Sequence, residues 1–184
     1  MSTARTSAFR EKLDALDVSW TVASPTECAD AVDAAGGEPA VGVPLDRADA
    51  ALPERVETDP TTADLRAAQT GVTAGALGIA EYGSVAIVGD DAGAEPVSLF
   101  VERHVIVLDE SDLVDGWAEA FDWLAPKLRD DAADVVWATG PSATADMGGL
   151  VRGAHGPKEV HVVLVREASG DEEDSTDEED STDE

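Results

Sequence analysis

The feature that most constrains the fold is the segment 134–166, in which two apolar runs enclose two turns. The runs, Val135–Ala138 and 160–165, are short, rich in valine and bounded by turn residues. Such runs are typical of strands that are buried on both faces of a parallel sheet. Parallel strands need a crossover connection, so we expect one between the two runs, with polar groups at the strand ends. Ligands of open α/β sheets bind at strand ends, so the segment predicts a fold and a site together.

The length and the cysteine content indicate one intracellular domain. The chain has 184 residues, which is enough for a single core without disulfides, and its one cysteine, Cys28, has no partner in the chain. Residues 1–10 lack the apolar stretch of a secretory signal, and no run approaches the roughly 18 apolar residues of a membrane helix. We therefore expect a cytoplasmic protein, without membrane insertion, whose one domain covers 1–170.

The net charge of −28 has two sources. Ten of the forty acidic residues lie in the tail 171–184, which leaves thirty against twelve Lys and Arg and a charge of −18 for 1–170. A tail with ten like charges and no apolar residue is expected to be disordered and solvating. The acidity of the rest resembles proteins adapted to molar salt, where self-repulsion is screened. No basic stripe is present, so nucleic acid is excluded as a ligand.

Helical and strand patterns alternate along the chain. They predict an amphipathic helix within 1–16, a helix that begins after Ser24 with Pro25 in its first turn, and further helices at 45–56, 62–68 and 112–128. Strands are predicted at 18–22, 40–44, 85–88 and 104–108, with a loop at 89–95. Residues 58–76 are otherwise interpreted as connections. The order predicts an α/β fold with a mostly parallel sheet and flanking helices.

Two motifs inside the segment 134–166 carry a family resemblance. They are TGPS with TAD at 139–146 and GAHGPKEVHV at 153–162. IAEYGS at 79–84 and HVIV at 104–107 agree with the same pattern. Together they resemble the LUD-domain family of lactate utilisation proteins, with coverage from about residue 64 to residue 166.

The resemblance implies a fold, partners and a process. The implied fold is similar to that of the sugar-phosphate isomerase and coenzyme A transferase group. Relatives are linked to oxidation of L-lactate to pyruvate beside partner proteins that carry iron–sulfur clusters. One cysteine cannot ligate such a cluster, so no intrinsic cofactor is expected and the clusters are assigned to the partners. Ala143 stands where many relatives have a basic residue, which leaves Arg152 or Lys158 to supply a cation.

The first turn is the candidate ligand site. Thr139, Gly140, Ser142 and Thr144 offer hydroxyl and backbone N–H groups at an expected strand-to-helix turn, a geometry that holds a carboxylate or a phosphate. The alternative is a turn with an N-cap from Ser142 or Thr144. In the second turn, Gly156 and Lys158 are expected to contribute to the same site, since a cation there favours a small anionic ligand.

Three residues are candidates for catalysis. His155 lies in a turn, where its imidazole can titrate near neutral pH. One interpretation is that it acts as an acid–base group or binds the ligand, and the alternative is that it holds the turn by hydrogen bonding. Asp146 either caps the first turn or orients His155. Glu81 precedes a buried strand, and coenzyme A transferases of the related fold use a glutamate nucleophile, so Glu81 is a candidate by fold-level analogy.

The other histidines and a metal site are weighed against simpler roles. His104 and His161 lie in apolar strands, where a hydrogen-bonded core histidine is the more common case. The three histidines contain no close pair, so no metal site is expected.

Three functions follow from these features. The first is an accessory component of L-lactate, or 2-hydroxy acid, utilisation that binds a small anion or a nucleotide-like ligand and works with iron–sulfur proteins. The second is an independent acyl, coenzyme A or phospho-substrate transferase, or an isomerase-type enzyme, that uses Glu81 and His155. The third is a regulatory binding module that contacts its partner through the acidic tail. Self-association into a homo-oligomer remains open in each case.

Overall fold

The computed structural model describes residues 2–45, 49–130, 134–146, 149–153 and 155–166. Within these ranges the chain alternates helices and strands. The elements are α1 Ser2–Ala15, β1 Ser19–Ala23, α2 Cys28–Ala35, β2 Ala40–Gly42, β3 Val56–Glu57, α3 Thr62–Ala67, β4 Thr70–Gly75, β5 Leu77–Ile79, β6 Ser84–Val88, α4 Ala94–Phe100, β7 Arg103–Asp109, β8 Leu113–Val114, α5 Trp117–Asp130, β9 Val135–Ala138, β10 Ala143–Asp146, β11 Gly149–Arg152 and β12 Glu159–Val165. The acidic tail 171–184 lies outside the described residues.

Six strands form a parallel sheet in the order β1-β12-β7-β4-β2-β3. Every neighbouring pair in it is parallel, and the longest pairing joins β12 to β7 over seven residues. Side chains on both faces of β12 are buried, which explains its unbroken apolar run after Glu159. The prediction of an α/β fold with a mostly parallel sheet and flanking helices is confirmed.

Four strands form a second, mixed sheet in the order β8-β5-β6-β9. Its outer face packs against α5, where Ala120 contacts Leu77, Ile79 and Ala86, and its inner face joins the main core through Val85 and Ile87. The prediction that β9 and β12 share one sheet is therefore wrong. β9 pairs antiparallel with β6. A four-residue apolar run fits a strand of either sheet, so the sequence did not distinguish between them.

The segment between β9 and β12 contains a hairpin. β10 and β11 pair antiparallel, with Ala143 opposite Arg152, where a strand-to-helix turn was expected. The sequence accounts for this difference, since Gly148-Gly149 opposes a helix and Thr and Val favour strands. Neither Ser142 nor Thr144 precedes a helix, so the N-cap alternative is also wrong.

Four further elements differ from the prediction. Residues 49–55 are not helical, because Pro53 disfavours helical backbone at Leu52, and 46–48 lie outside the described residues. β4 and α4 were not predicted. α5 begins at Trp117 instead of residue 112, after the short strand β8.

The N-terminal helices agree with the sequence pattern. In α1, Phe9 and Leu13 are buried in the core. The Ser24 backbone N–H donates to the Glu27 carboxylate (3.1 Å), so Ser24 and Pro25 begin the helical segment before α2 as predicted. No helix in the described part of the chain is both long and apolar enough to cross a membrane.

Candidate functional site

The two sequence motifs meet through backbone hydrogen bonds. Ser142 N donates to Pro157 O (2.8 Å), and Gly153 N donates to Ser142 O (2.8 Å). A Cβ atom on Gly156 would lie 3.2 Å from Ser142 Cβ, so Gly156 lets the second turn approach Ser142 closely. We call residues 139–142, 153 and 155–158 the paired turn. The structure thus joins Ser142 and Gly156, as the sequence predicted.

The paired turn lies at the end of the parallel sheet where the strands begin, which we call the amino edge. Lys158 immediately precedes β12, and its backbone N–H donates to the carbonyl of Glu102 (2.7 Å), which precedes β7. Gly140, with a φ of 81°, packs against Leu16 just before β1. Ligands of open parallel sheets bind at the opposite, carboxyl edge. The site therefore depends on the turns themselves and does not use the strand-end crevice that the sequence suggested.

Backbone N–H groups of the paired turn hold its own structure together. The Ser142 and Gly153 amides bond to carbonyls within the turn, and the Lys158 amide bonds to Glu102. These three amides are therefore already engaged and do not bind an incoming anion. The side-chain donors of this region are the Ser142 hydroxyl, the His155 imidazole and the Lys158 ammonium group.

His155 is exposed and lines a cleft of about 550 Å³ beside the paired turn. The end of α4 forms the opposite wall, with Phe100 70% exposed. The remaining lining residues are Leu99, Val101, Glu102, Gly153, Gly156 and Lys158. The cleft is large enough for a small carboxylic acid or a nucleotide fragment, and one wall is apolar.

Lys158 shares the cleft with an acidic partner. Its Nζ lies 2.7 Å from Glu102 Oε1, and the two side chains are 53% and 61% exposed. An exposed pair of this kind contributes only about 0.2–1 kcal/mol. An anionic ligand can therefore compete with Glu102 for the ammonium group.

Arg103 supplies a second cation next to Lys158. It donates to the Ala35 carbonyl (2.6 Å) at the end of α2 and forms an ion pair with Glu159. Arg103, Lys158 and Glu159 line a separate cleft of about 310 Å³ at the same edge. The two cations described here thus each form an ion pair with one carboxylate: Lys158 with Glu102, and Arg103 with Glu159.

Thr139 connects the paired turn to the smaller sheet. Its hydroxyl lies 2.7 Å from the hydroxyl of Ser84, which is buried at the start of β6. Thr139 therefore has a structural bond in addition to its predicted ligand role.

Glu81 points elsewhere. Its carboxylate lies 2.9 Å from the position of a Cβ on Gly116, at the start of α5, and its amide donates to Asp115 O (3.1 Å). Within the described part of the chain, no hydrogen bond or ion pair joins Glu81 to His155. The structure does not assemble these two candidates into one pair.

Thr144 and Asp146 lie in β10, and Asp146 is opposite Gly149 in the hairpin. Their side chains fall outside the part of the chain that the structure describes. Their predicted roles in ligand binding and in orienting His155 stay predictions.

His104 and His161 are buried in the main sheet. His104 Nε2 lies 2.8 Å from the Thr73 hydroxyl, and burial lowers the pKa of His104 to about 3. His161 contacts the hydroxyls of Ser19 and Thr21 at 2.8 and 3.1 Å. Burial, assisted by the charge of Arg103, lowers the pKa of His161. Both are neutral, hydrogen-bonded core residues.

Sequence reasoning missed Glu102 and Phe100. The available signal for Glu102 was its place directly before a buried strand, the same position that Lys158 has before β12. Adjacent parallel strands that start in register bring such residues together, and Arg103 is opposite Glu159.

Replacing Glu102 by glutamine is expected to strengthen the binding of a small carboxylate such as acetate to Lys158 about three- to fivefold, because Lys158 loses its competing carboxylate. A change of about 1 kcal/mol corresponds to that factor. Lys158→Gln is expected to weaken the same binding. Isothermal titration calorimetry at fixed ionic strength measures both variants, with Glu95→Gln on α4 as a control for net charge. Equal affinities in Glu102→Gln and Glu95→Gln would exclude a role for this ion pair.

Comparison with known proteins identifies relatives of the chain. It is 29% identical over 104 residues to lactate utilization protein C of Bacillus velezensis, covering 54% of this chain and 43% of that protein. It is 32% identical over 114 residues to lactate utilization protein C of Deinococcus radiodurans, covering 60% and 53%. The chain thus spans about half the length of the curated relatives it matches.

A solved structure and a family model extend this comparison. The crystal structure of a DUF162 family protein from Deinococcus radiodurans matches with a TM-score of 0.71 at 22% identity, over 90% of this chain and 99% of that one, and shows the same fold. The LUD domain model matches residues 40–165, which include the smaller sheet, every strand of the parallel sheet except β1, and the paired turn. The chain therefore belongs to the LUD domain family.

Proposed function

We propose that this protein acts in the utilisation of L-lactate, or a related 2-hydroxy acid, as an accessory component. The observation that carries the proposal is the LUD domain match over 40–165 together with two relatives named lactate utilization protein C. In this role it works with iron–sulfur partner proteins that oxidise lactate to pyruvate. The ligand site is the paired turn.

The geometry of the paired turn supports a small carboxylate as ligand. Lactate and pyruvate each present one carboxylate and one further oxygen. Lys158 offers a cation for the carboxylate, and the exposed His155 offers a hydrogen bond to the second oxygen, with the half-buried Ser142 next to Gly156 at the edge of the cleft. The apolar wall at Phe100 suits either a methyl group or the base of a nucleotide-like ligand.

The cysteine content supports placing the redox chemistry on partners. Iron–sulfur clusters are held by several cysteine thiolates, whereas this chain has only Cys28. Cys28 is buried in α2 and fully enclosed by the core. The protein's own contribution is therefore to bind and present the substrate, the product or a regulatory anion.

Growth on L-lactate tests the proposal. Deleting the gene in the source organism is expected to abolish growth on L-lactate but not on glucose, and the wild-type gene restores it. A gene that encodes His155→Ala together with Lys158→Gln is expected to restore growth poorly, whereas exposed Arg129→Ala restores it fully. Unchanged lactate growth after deletion would contradict the proposal.

The second candidate function is transfer of an acyl or phospho group. The proposed similarity of the fold to the sugar-phosphate isomerase and coenzyme A transferase group favours it, as does the exposure of Glu81 in the turn before β6. The separate surroundings of Glu81 and His155 favour the first function. Incubation with acyl-coenzyme A followed by mass spectrometry distinguishes the two functions, because a transferase forms a covalent adduct that Glu81→Gln abolishes.

A further inference from the structure

Half of the aromatic residues gather in one cluster on the smaller sheet. The chain has only eight aromatic residues, and four of them form one group in which three rings surround that of Trp117. Its centroid lies 5.7 Å from Tyr82, 5.4 Å from Phe121 and 4.8 Å from Trp137. We call Tyr82, Trp117, Phe121 and Trp137 the aromatic surface.

The aromatic surface is open to solvent. Tyr82 is 47% exposed and Phe121 is 56% exposed, and Leu128, further along α5, is 53% exposed. α5 packs on the sheet through the buried Ala120 and the half-buried Trp117 and Trp123. Phe121 and Leu128 continue the apolar face of the helix beyond what the core covers. Contiguous exposed apolar area of this kind marks interaction sites.

An open strand edge adjoins the aromatic surface. β9, which carries Trp137, is the last strand of the smaller sheet and pairs only with β6 within the described ranges. Its four residues, VVWA, are half-buried and include no lysine or proline. Lysine or proline on an edge strand normally prevents another chain from pairing with that strand. The edge therefore offers backbone N–H and C=O groups to an extended segment.

The negative charge around the aromatic surface favours a basic binding partner. Glu81 and Asp122 border it and form no ion pair with another described residue, and Asp134 is exposed directly before β9. The basic residues of α5, Lys127 and Arg129, lie in its last turn. Two copies that met through this surface would bring Glu81, Asp122 and Asp134 of each copy close together, and this local like-charge contact opposes self-pairing.

We propose that the aromatic surface and the open edge of β9 together dock an extended segment of a partner protein whose apolar residues alternate with Lys or Arg. The segment adds a strand to β9 by backbone hydrogen bonds. Its apolar side chains cover Trp137 and Phe121, and its cations approach Glu81, Asp122 and the aromatic ring faces. The inference does not depend on the ligand of the paired turn.

A pair of synthetic peptides tests this docking with the full chain. The first is a twelve-residue peptide of alternating valine and lysine, and the second replaces each lysine by glutamate. Because a chain of this charge attracts any basic peptide, Phe121→Ser is compared with Phe100→Ser, since both phenylalanines are exposed and only Phe121 belongs to the aromatic surface. Affinity is measured by fluorescence anisotropy at 0.15 M and 2 M KCl.

We expect the lysine peptide to bind at least tenfold more weakly to Phe121→Ser than to the wild type, with no change in Phe100→Ser. Hydrogen exchange is expected to slow at residues 135–138 when the lysine peptide is present. Equal binding to the two variants would reduce the interaction to general charge attraction and overturn the proposal. A concentration-dependent dimer that Phe121→Ser abolishes, without peptide protection of 135–138, would assign the surface to a second copy and also overturn it.

Discussion

Replacing Gly71 by alanine is expected to lower the free energy of unfolding by about 3 kcal/mol. Gly71 lies in β4, and a Cβ there would be 2.6 Å from the Val97 carbonyl oxygen and 2.9 Å from both methyl groups of Val101. The oxygen belongs to the backbone of α4, so the clash is relieved only by moving the helix away from the sheet. Overpacking of a core typically costs about 1–3 kcal/mol, and this contact is at the severe end.

Gly89→Ala is the matched control. A Cβ on Gly89 would meet its nearest atom at 3.3 Å, in the exposed residue Asp134. Alanine also restricts the unfolded chain, so this variant should be neutral or slightly more stable. Guanidinium unfolding at constant salt measures both variants. A Gly71→Ala midpoint equal to that of the wild type would show that α4 does not lie against β4 as described.

The same contact explains why β4 was not predicted. Its sequence, TGVTAG, contains two glycines and only one strongly apolar residue, and glycine weakens a strand. In the structure β4 lies at the centre of the parallel sheet, between β7 and β2. The small residues permit the close approach of α4, so packing at this position overrides local preference. α4 itself has seven residues with Pro96 in its first turn, too short for a clear helical period.

Elements with a strong local pattern were predictable. β7 and β12 are long apolar strands, and α1 places Phe9 and Leu13 at helical spacing. The assignment of β9 failed for a different reason. An apolar run shows that a strand is covered by other residues, but it carries no information about which sheet supplies the neighbouring strand.

The proximity of the two turns was predictable from the sequence, whereas their detailed geometry was not, and the ligand roles of their residues stay predictions. The sequence motifs correctly paired Ser142 with the turn at Gly156. Since residues 153–158 precede β12, chain order already implies that they lie at its amino end. The ion pair of Lys158 with Glu102 was less accessible, because it depends on the register of β12 beside β7.

Acid is expected to destabilise the protein through His104, and a non-titrating replacement should remove part of that sensitivity. His104 is 1% exposed, and burial holds its pKa at about 3, against an ordinary value of 6.5. Between these pH values the unfolded chain binds a proton that the folded chain excludes. The stabilising contribution is therefore complete above pH 6.5 and is lost as the pH falls towards 3. A shift of this size corresponds to on the order of 5 kcal/mol.

His104→Gln measures this contribution, because glutamine can still hydrogen-bond the Thr73 hydroxyl and does not titrate. The carboxylates titrate in both proteins, so the informative quantity is the difference in unfolding free energy between variant and wild type at pH 7 and at pH 4. We expect the variant to be less stable at pH 7 and the difference to shrink or reverse at pH 4. A constant difference for His104→Gln across this range would mean that His104 accepts a proton in the folded sheet, and hence that water reaches the Thr73–His104 pair.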